Sequence, residues 1–332
     1  MVEPLRRAEP ATAAVAAPSK RNSYSGFALR VGLGLCVIGL LLWHYNARPI
    51  LRTLEGERAG CFTLAIIIYL LGQALSAFRW QLLARMNSIR GRYAEFFSYT
   101  YIGMFTNLFV PGLIGGDAAR AIYLGRRHQK MGPAVASVIA DRAIGLLGLF
   151  WLGSACVMIL GRVFSPSVFY SAMAIGVLTV IGWLALPLIA RLLGTVGGRI
   201  GNFARPVLPY LRRPFKLIPA ILLSLVLQLM LALAQYVLAI GLGLNISPLL
   251  FTACVPIANL LASLPITFNG LGVRETAYLV LLGMAGVSNE HAIALGLLWF
   301  ASTMIAGLSG AVVFAMTETP ALIGAREVAT SD

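Results

Sequence analysis

The chain has 332 residues, of which 59% are hydrophobic and only 11% charged, and its mean hydropathy is +0.84. A soluble domain carries about 25% charged residues, so this composition excludes a soluble protein and indicates an integral membrane protein. The net charge of +14 comes from basic residues that lie between apolar segments. In those places they set topology and meet anionic headgroups, which argues against a nucleic-acid partner.

The N-terminal part of the chain alternates polar segments with two apolar spans. Residues 1–26 are rich in Ala, Pro and Arg and predict a disordered cytoplasmic tail without a removable signal peptide. Spans are predicted at 27–43 and about 60–78, with a short mixed-charge loop at 44–59 between them. The arginines of 79–95 predict a loop on the same side as the tail.

The next two apolar segments, 96–110 and 115–124, are too short to cross a membrane. Fifteen helical residues rise about 22 Å, against about 30 Å for the hydrocarbon core. The pair therefore predicts a re-entrant helical hairpin broken at Pro111, which would be buried in protein or line a cavity. Asn107, just before the break, is expected to hydrogen-bond to the broken backbone at the tip. Asn107 and Pro111 are both candidate site residues.

The C-terminal part of the chain continues this alternation. The predicted segments are a basic loop at 125–132, spans at about 133–160 and 168–190, a Gly/Pro-rich basic loop at 191–216, a span at 217–242, a second short pair at 250–264 and 270–283, and a last span at about 291–316. The second pair is broken around Pro265 and Asn269-Gly270 and predicts a second re-entrant hairpin. The prediction is one transmembrane domain over 27–316, followed by a tail at 317–332.

The distribution of basic residues supports this layout. With the N-terminus cytoplasmic and both hairpins re-entrant, the N-terminal tail to Arg30 and the loops 79–95, 125–132 and 191–216 are cytoplasmic and hold 18 Lys and Arg residues, and the opposite side holds four. This asymmetry satisfies the positive-inside rule and predicts that both termini are cytoplasmic. Reading each hairpin as two full spans gives the same sidedness, so only segment length favours re-entry.

Two interruptions of the apolar sequence match one another. The matching pairs, each 154 residues apart, are Pro111 and Pro265, Gly116 and Gly270, and Arg120 and Arg274. The same interval relates a unit at about 60–160 to a unit at about 217–316, with the span 168–190 linking them. Because a single span lies between the units, the second copy is upside down. Inverted repeats with broken helices are typical of transporters.

The outgoing helix of each predicted hairpin begins with residues that suit an anion. Free N–H groups and the helix dipole favour a lipid phosphate at a helix N-terminus. Arginines about one turn further on would bind it in a fork, since an intramembrane charge needs a partner or a function. The structural alternative is that Asp and Asn cap the helices and the glycines allow close packing. The residues concerned are Gly115, Gly116, Asp117, Arg120, Asn269, Gly270 and Arg274.

Three further charged residues lie in the apolar segments. Asp141 and Arg142 lie about two turns into their predicted span, and Glu275 comes directly after the second arginine. Either they form structural ion pairs, Arg142 with Glu275 or Asp141 with Arg120, or they form a gating or proton-coupling network. Asp141 and Arg142 are not expected to pair with each other, because neighbours on a helix point about 100° apart.

Motifs for other chemistries are missing from the sequence. The four cysteines are scattered singly and the three histidines are isolated, so neither a metal site nor a disulfide framework is predicted. There is no P-loop, GxSxG, HExxH or dinucleotide fingerprint. The chain is therefore expected not to be an enzyme and to use no cofactor.

Three motifs, in order, resemble those of a known family. They are Asn107 with Pro111-Gly112-Leu113-Ile114-Gly115-Gly116-Asp117-Ala118-Ala119-Arg120, then Ala140-Asp141-Arg142, then Leu264-Pro265 with Asn269-Gly270-Leu271-Gly272-Val273-Arg274-Glu275. Over about residues 30–316 the chain resembles the flippase-like family, the transmembrane region of bacterial lysylphosphatidylglycerol synthase/flippase proteins and their stand-alone relatives. Two-part members carry an aminoacyl-transferase domain after this region. Here about 16 residues follow the last span, so lysyl transfer is not expected.

The resemblance implies a bacterial inner-membrane protein that moves lipids between leaflets. The substrate classes it implies are phospholipids, aminoacylated lipids, polyprenyl-linked lipids and hopanoids. Two alternatives stay open, a secondary transporter of a small polar solute and a non-transporting membrane partner of a lipid-biosynthetic enzyme. The expected partners are membrane lipids, with a separate lipid-modifying enzyme as a further candidate.

Overall fold

The computed structural model describes residues 35–36, 39–44, 47–109, 114–161, 166–195, 198, 201, 205–263, 267 and 270–329, with side chains as far as residue 316. All regular structure in these ranges is helical. The α-helices are α1 (Ala47–Glu55), α2 (Ala59–Met86), α3 (Tyr93–Thr106), α4 (Ile114–His128), α5 (Met131–Leu160), α6 (Pro166–Gly194), α7 (Leu208–Arg212), α8 (Ile218–Gly241), α9 (Pro248–Ala262), α10 (Val273–Gly283) and α11 (Asn289–Ala329), and a 3-10 turn (Pro214–Leu217) precedes α8.

Five of these helices are long and apolar enough to cross a membrane, so the chain is a multi-pass membrane protein. They are Ala59–Met86, Met131–Leu160, Phe169–Gly194, Pro214–Gly241 and Asn289–Met316. These agree with the spans predicted from the sequence. The predicted first span, 27–43, and the hairpin tips at 110–113 and 264–266 lie largely or wholly outside the described residues.

The predicted loops are shorter than the sequence suggested. The segment 44–59 contains α1, and α2 continues through 79–86. A two-residue connection at 129–130 replaces the predicted loop 125–132, and α7 with the 3-10 turn occupies part of 191–216. The last helix also extends to Ala329 rather than ending at 316. In each case charged side chains were taken as a loop signal, although charge at the end of a membrane helix does not stop the helix.

The helices pack around a central pair, α2 and α8. The short helix α3 packs against α11, and the short helix α9 packs against α5. Each of these short helices thus contacts a long helix from the other half of the chain. Small residues allow the close approach that drives helix association in lipid. A Cβ at Gly153 of α5 would lie 3.3 Å from the Pro256 ring, and one at Gly307 of α11 would lie 3.0 Å from Leu108.

Buried apolar side chains form one cluster around each short pair. The cluster at α9 and α10 includes Phe251, Tyr278 and Trp299, and the cluster at α3 and α4 includes Trp80 and Phe96. By contrast, the most apolar window of α6 contains no buried residue. The helix α6 therefore faces lipid at the outside of the bundle, as a span linking two units would.

Candidate functional site

Asp141 of α5 is the centre of a buried charge network. Only 2% of its side-chain surface is exposed, and each carboxylate oxygen accepts a hydrogen bond from a different arginine. Arg79 donates through Nε over 2.9 Å, and Arg120 donates through Nη2 over 3.0 Å. The predicted pair of Asp141 with Arg120 is thus confirmed. Charge-assisted bonds from two cations offset the cost of burying this carboxylate.

Arg79 was placed in a loop by the sequence interpretation, and this was wrong. Its side chain is buried in the last third of α2, where Nη1 also donates to Ser224 Oγ of α8 over 2.9 Å. Ser224 in turn donates to the carbonyl oxygen of Ile144 over 3.0 Å. These bonds join α2, α5 and α8 through polar groups, which in lipid have no water to bind instead.

Arg120 of α4 is held from two further sides. Its guanidinium carbon lies 4.2 Å from the centre of the Trp80 ring, a cation–π contact, and Trp80 Nε1 donates to Ser137 Oγ over 3.0 Å. Nη1 also lies 3.4 Å from Asp117. The Arg120 guanidinium therefore contacts protein groups on α2, α4 and α5.

Asp117 binds the third arginine, Arg142. Arg142 donates to both carboxylate oxygens, from Nε over 2.5 Å and from Nη2 over 2.8 Å. The predicted alternative, a pair of Arg142 with Glu275, is not formed. Asp117 lies in the first turn of α4 but its carboxylate is used by Arg142, so it is not the helix cap that the structural alternative required. The Arg142 side chain is 46% exposed, so part of its guanidinium is accessible from outside the protein.

The first short pair is joined by a backbone contact. The amide N–H of Gly116 donates to Asn107 Oδ1 over 2.7 Å, which confirms that Asn107 bonds to the backbone beside the break. A Cβ at Gly116 would collide with the carbonyl oxygen of Gly103. Gly115 and Gly116 are both buried at the start of α4, and Gly116 serves close packing rather than offering a free N–H group. Pro111 lies outside the described residues.

The second short pair begins its outgoing helix differently. Gly270 and Gly272 have positive φ angles of 73° and 84°, which glycine adopts without a steric penalty. The Gly272 N–H donates to Glu275 Oε2 over 2.6 Å, so the fully buried Glu275 caps its own helix. A Cβ at Gly296 of α11 would lie 2.7 Å from Glu275, and this glycine gives Glu275 its space. Asn269 lies outside the described residues.

Arg274, unlike Arg79, Arg120 and Arg142, makes no ion pair within the described residues. It is 8% exposed, and its Nε and Nη1 have no hydrogen-bond partner within the described part of the chain. Tyr69 of α2 lies within electrostatic range of both Arg274 and Arg142. The two arginines come from different halves of the chain, Arg142 from α5 and Arg274 from α10.

The charges of these residues do not balance. Four arginines, at positions 79, 120, 142 and 274, stand against three carboxylates, at 117, 141 and 275. These seven residues therefore carry one more formal positive charge than negative charge. No group of three metal-binding side chains occurs in the described ranges.

An apolar cavity of about 390 Å³ opens between α5, α6, α9 and α10. Leu149 and Leu281 line it, and each follows an arginine of the charge cluster, Arg142 or Arg274, by seven residues on the same helix. Seven helical residues rise about 10 Å. The cavity thus begins about 10 Å along α5 from Arg142 and about 10 Å along α10 from Arg274.

The sequence interpretation missed Arg79, Trp80, Ser224 and Tyr69. One signal for the first two was present, since apolar residues recur at helical spacing from Trp80 to Met86 and predict that the helix continues. Nothing in the sequence pairs Arg79 with Ser224, which is 145 residues away.

Comparison with known proteins agrees with these observations. The family model described as the lysylphosphatidylglycerol synthase TM region matches residues 27–310. Neither a curated protein nor a solved structure matches the chain.

Proposed function

The chain belongs to the family of the lysylphosphatidylglycerol synthase transmembrane region, and from this membership we propose that it moves a lipid with a polar or anionic headgroup between the leaflets of the bacterial inner membrane. The family and the five apolar helices support a membrane protein related to lipid handling. The unpaired, buried guanidinium of Arg274 carries the proposal. A buried cation without a partner is costly, and an anionic headgroup would supply the missing partner.

The headgroup would bind between Arg274 and Arg142. Both lie near Tyr69, and the open surface of Arg142 lets a phosphate reach it while Asp117 still holds its inner edge. Guanidinium groups bind phosphate in a planar fork, so two of them form a clamp. When the headgroup leaves, Asp117 remains as the partner of Arg142, which keeps the empty site from carrying two unpaired cations.

The hydrocarbon tail of the lipid would lie in the apolar cavity beside α6. Its walls are almost wholly apolar, and they begin about 10 Å along α5 and α10 from the two arginines. A headgroup in the clamp and a chain in this cavity match the two ends of one lipid. A small polar solute, the alternative substrate, would not bind in the apolar cavity.

We propose that the halves α2–α5 and α8–α11 are inverted repeats. When α2 is exchanged with α8, α3 with α9, α4 with α10 and α5 with α11, the set of packing contacts among these helices stays the same. Gly153 and Gly307 add a further matching pair at the 154-residue interval. Each packs against the short helix pair of the opposite half, at Pro256 or at Leu108.

The lengths of the short helices support re-entry. α3 and α4 have 14 and 15 residues and α10 only 11, which rise about 21, 22 and 16 Å. None of these reaches across about 30 Å of hydrocarbon. Two hairpins entering from opposite sides would bring the N-termini of α4 and α10 together near the middle of the bilayer.

The basic residues support an orientation with both termini in the cytoplasm. Arg79 is buried in the protein, so the proposed cytoplasmic segments keep 17 of the 18 basic residues that the sequence assigned to them. Lipid translocation makes and breaks no covalent bond, and we propose that the chain itself catalyses no chemical reaction and needs no cofactor.

The test is lipid movement in liposomes that contain the purified protein. Fluorescent phosphatidylglycerol in both leaflets is quenched from outside, and the slow phase reports transfer from the inner leaflet. We expect the wild type to exceed protein-free liposomes, and Arg274→Met to lower the rate about tenfold or more, as expected for loss of a charge-assisted bond to the headgroup. Arg274→Lys should retain part of the rate.

The matched control is Arg191→Met, which removes an exposed arginine from the end of α6. Its rate should equal that of the wild type. If fluorescent phosphatidylglycerol, phosphatidylethanolamine and lysylphosphatidylglycerol all move no faster than in protein-free liposomes, the lipid proposal is wrong. Lipid transfer by Arg274→Met at the wild-type rate would show that Arg274 does not bind the headgroup.

A further inference from the structure

A second cavity, of about 590 Å³, lies at the ends of α2 and α6 and is lined by basic residues. Arg205, Arg212 and Arg213 form its polar wall, and its described lining residues include no Asp or Glu. These three arginines come from the segment that precedes α8. None of them belongs to the charge cluster around Asp141 or to the proposed translocation site.

The position of this cavity along the bundle is set by the helices that border it. Met86 and Gly194, two of its lining residues, are the last residues of α2 and α6. The membrane-spanning stretch Pro214–Gly241 begins directly after Arg213. Because three spans begin or end here, the cavity lies at the boundary of the hydrocarbon region, which is the depth of lipid phosphates.

The wall of the cavity is a built structure rather than a loose surface chain. Tyr210 is buried and its hydroxyl donates to the carbonyl oxygen of Leu83 over 2.9 Å. Asn87 Nδ2 donates to the carbonyl oxygen of Pro206 over 2.8 Å and to Tyr210 Oη over 3.1 Å. Burial raises the pKa of the Tyr210 hydroxyl far above its ordinary value, so it stays a neutral donor. These bonds fix the arginine-bearing segment to the end of α2.

The three guanidinium groups have no protein partner in the part of the chain that the structure describes. Neither a side-chain hydrogen bond nor an ion pair of Arg205, Arg212 or Arg213 is found there. Arg212 Nη2 lies over Gly194, 3.4 Å from where a Cβ would stand, so the glycine lets this guanidinium reach the end of α6. Arginines that only follow the positive-inside rule would point separately into water. Here three of them border one concave surface.

We propose that this cavity binds the phosphate group of an anionic membrane lipid at the cytoplasmic face. Three guanidinium donors can surround a phosphodiester, and the apolar side of the cavity, formed by Met86, Leu193 and Leu208, would contact the first part of the acyl chains. The site holds a lipid in place and does not depend on translocation, so it would exist even if the protein moved no lipid.

The test is lipid binding by the purified protein in a neutral detergent, measured by native mass spectrometry. The probes are phosphatidylglycerol, phosphatidylcholine and inorganic phosphate. The test variant combines Arg205→Gln, Arg212→Gln and Arg213→Gln. The control variant combines Arg85→Gln, Arg90→Gln and Arg92→Gln, which removes the same charge from exposed arginines near the same end of α2.

We expect the wild type and the control variant to bind phosphatidylglycerol at least tenfold more tightly than phosphatidylcholine. The test variant should lose this preference while keeping the wild-type elution volume in gel filtration. An equal loss in both variants would mean diffuse attraction to the basic face and would overturn the site. Absence of any preference in the wild type would do the same. Binding of inorganic phosphate as tight as that of phosphatidylglycerol would show that the occupant is free phosphate and not a lipid.

Discussion

The buried charges of this protein fall into two kinds at the level of single residues. Asp141 is surrounded by partners, with one arginine on each oxygen, whereas Arg274 is buried with two unpartnered nitrogens. Removing one member of a buried ion pair leaves an uncompensated charge, whereas Arg274 makes no ion pair within the described residues and only lies in the field of its buried neighbour Glu275. Stability and function should therefore separate between these two positions.

We predict that Asp141→Asn strongly destabilises the protein. The substitution leaves Arg79 and Arg120 buried without a counter-charge, and breaking a buried pair in this way costs about 3–5 kcal/mol. Thermal unfolding in detergent, followed by the elution of folded protein after heating, measures the loss. An unchanged midpoint would contradict the assignment of Asp141 as the structural centre.

Arg274→Met should behave in the opposite way. The free energy of unfolding is expected to stay within about 1 kcal/mol of the wild type or to rise, because the buried cation that is removed has no hydrogen-bond partner for Nε or Nη1 within the described residues. Glu275 keeps its bond from the Gly272 N–H. Retained stability together with lost lipid transfer would assign Arg274 to the ligand. A destabilisation as large as that of Asp141→Asn would assign it to the structure.

Sequence reasoning found most of these residues but not all of their contacts. Charged residues inside apolar segments are conspicuous, so Asp117, Arg120, Asp141 and Arg274 could be chosen from the sequence. Their partners could not, because Arg142 had two carboxylates within plausible reach and the choice of Asp117 depends on the packing of α4 against α5. Arg79 was missed because a charge near the predicted end of a span was taken as a loop residue.

At the level of elements, each short helix pair is held together by contacts of glycine. Gly116 touches Gly103 and Asn107 across the α3–α4 pair, and Gly270 touches Ala262 across the α9–α10 pair. Such close approach leaves no space for a side chain. The geometry of the hairpins, and with it the position of Arg120 and Arg274, depends on these two contacts.

We predict that Gly116→Ala destabilises the protein by about 1–3 kcal/mol, since the added methyl group collides with backbone and must displace α3 from α4. The matched control is Gly182→Ala in α6, where nothing lies within 4 Å of the new Cβ. A glycine to alanine change inside a helix stabilises it by about 0.5–1 kcal/mol when space allows. Opposite signs in thermal unfolding are expected, and a Gly116→Ala protein as stable as the control would contradict the tight contact.

The helices themselves were largely predictable, because a membrane allows few structures. Apolar length identified the spans over 59–86, 131–160, 166–194, 218–241 and 289–316 to within a few residues, except where a helix continued past charged residues. The helix α1 was not predicted, since nine residues with mixed charge carry no span signal. Its packing against α11 is a tertiary contact that no local pattern encodes.

For the molecule as a whole, the exchange of halves is the property that explains the most observations together. It relates the packing of α3 on α11 to that of α9 on α5, and it relates Arg120 to Arg274. The two halves have nevertheless diverged in charge. Arg120 has Asp141 as a partner, whereas the position 154 residues after Asp141 is Leu295. If the halves are repeats, the first carries the paired arginine, and the second carries the arginine for which we propose a ligand.

We predict that α5 and α11 begin on opposite sides of the membrane, because inverted halves require it. Met131 and Asn289 are the first residues of these helices and both are exposed. In a background with serine at all four native cysteine positions, Met131→Cys should react with a membrane-impermeant maleimide only from the cytoplasmic side, and Asn289→Cys only from the opposite side. Phe215→Cys and Arg52→Cys, in the connections before α8 and before α2, calibrate the two sides. Labelling of both test positions from one side would place the halves in parallel. The N-terminal ends of α4 and α10 would then lie at different depths, and Arg142 and Arg274 could not share one headgroup.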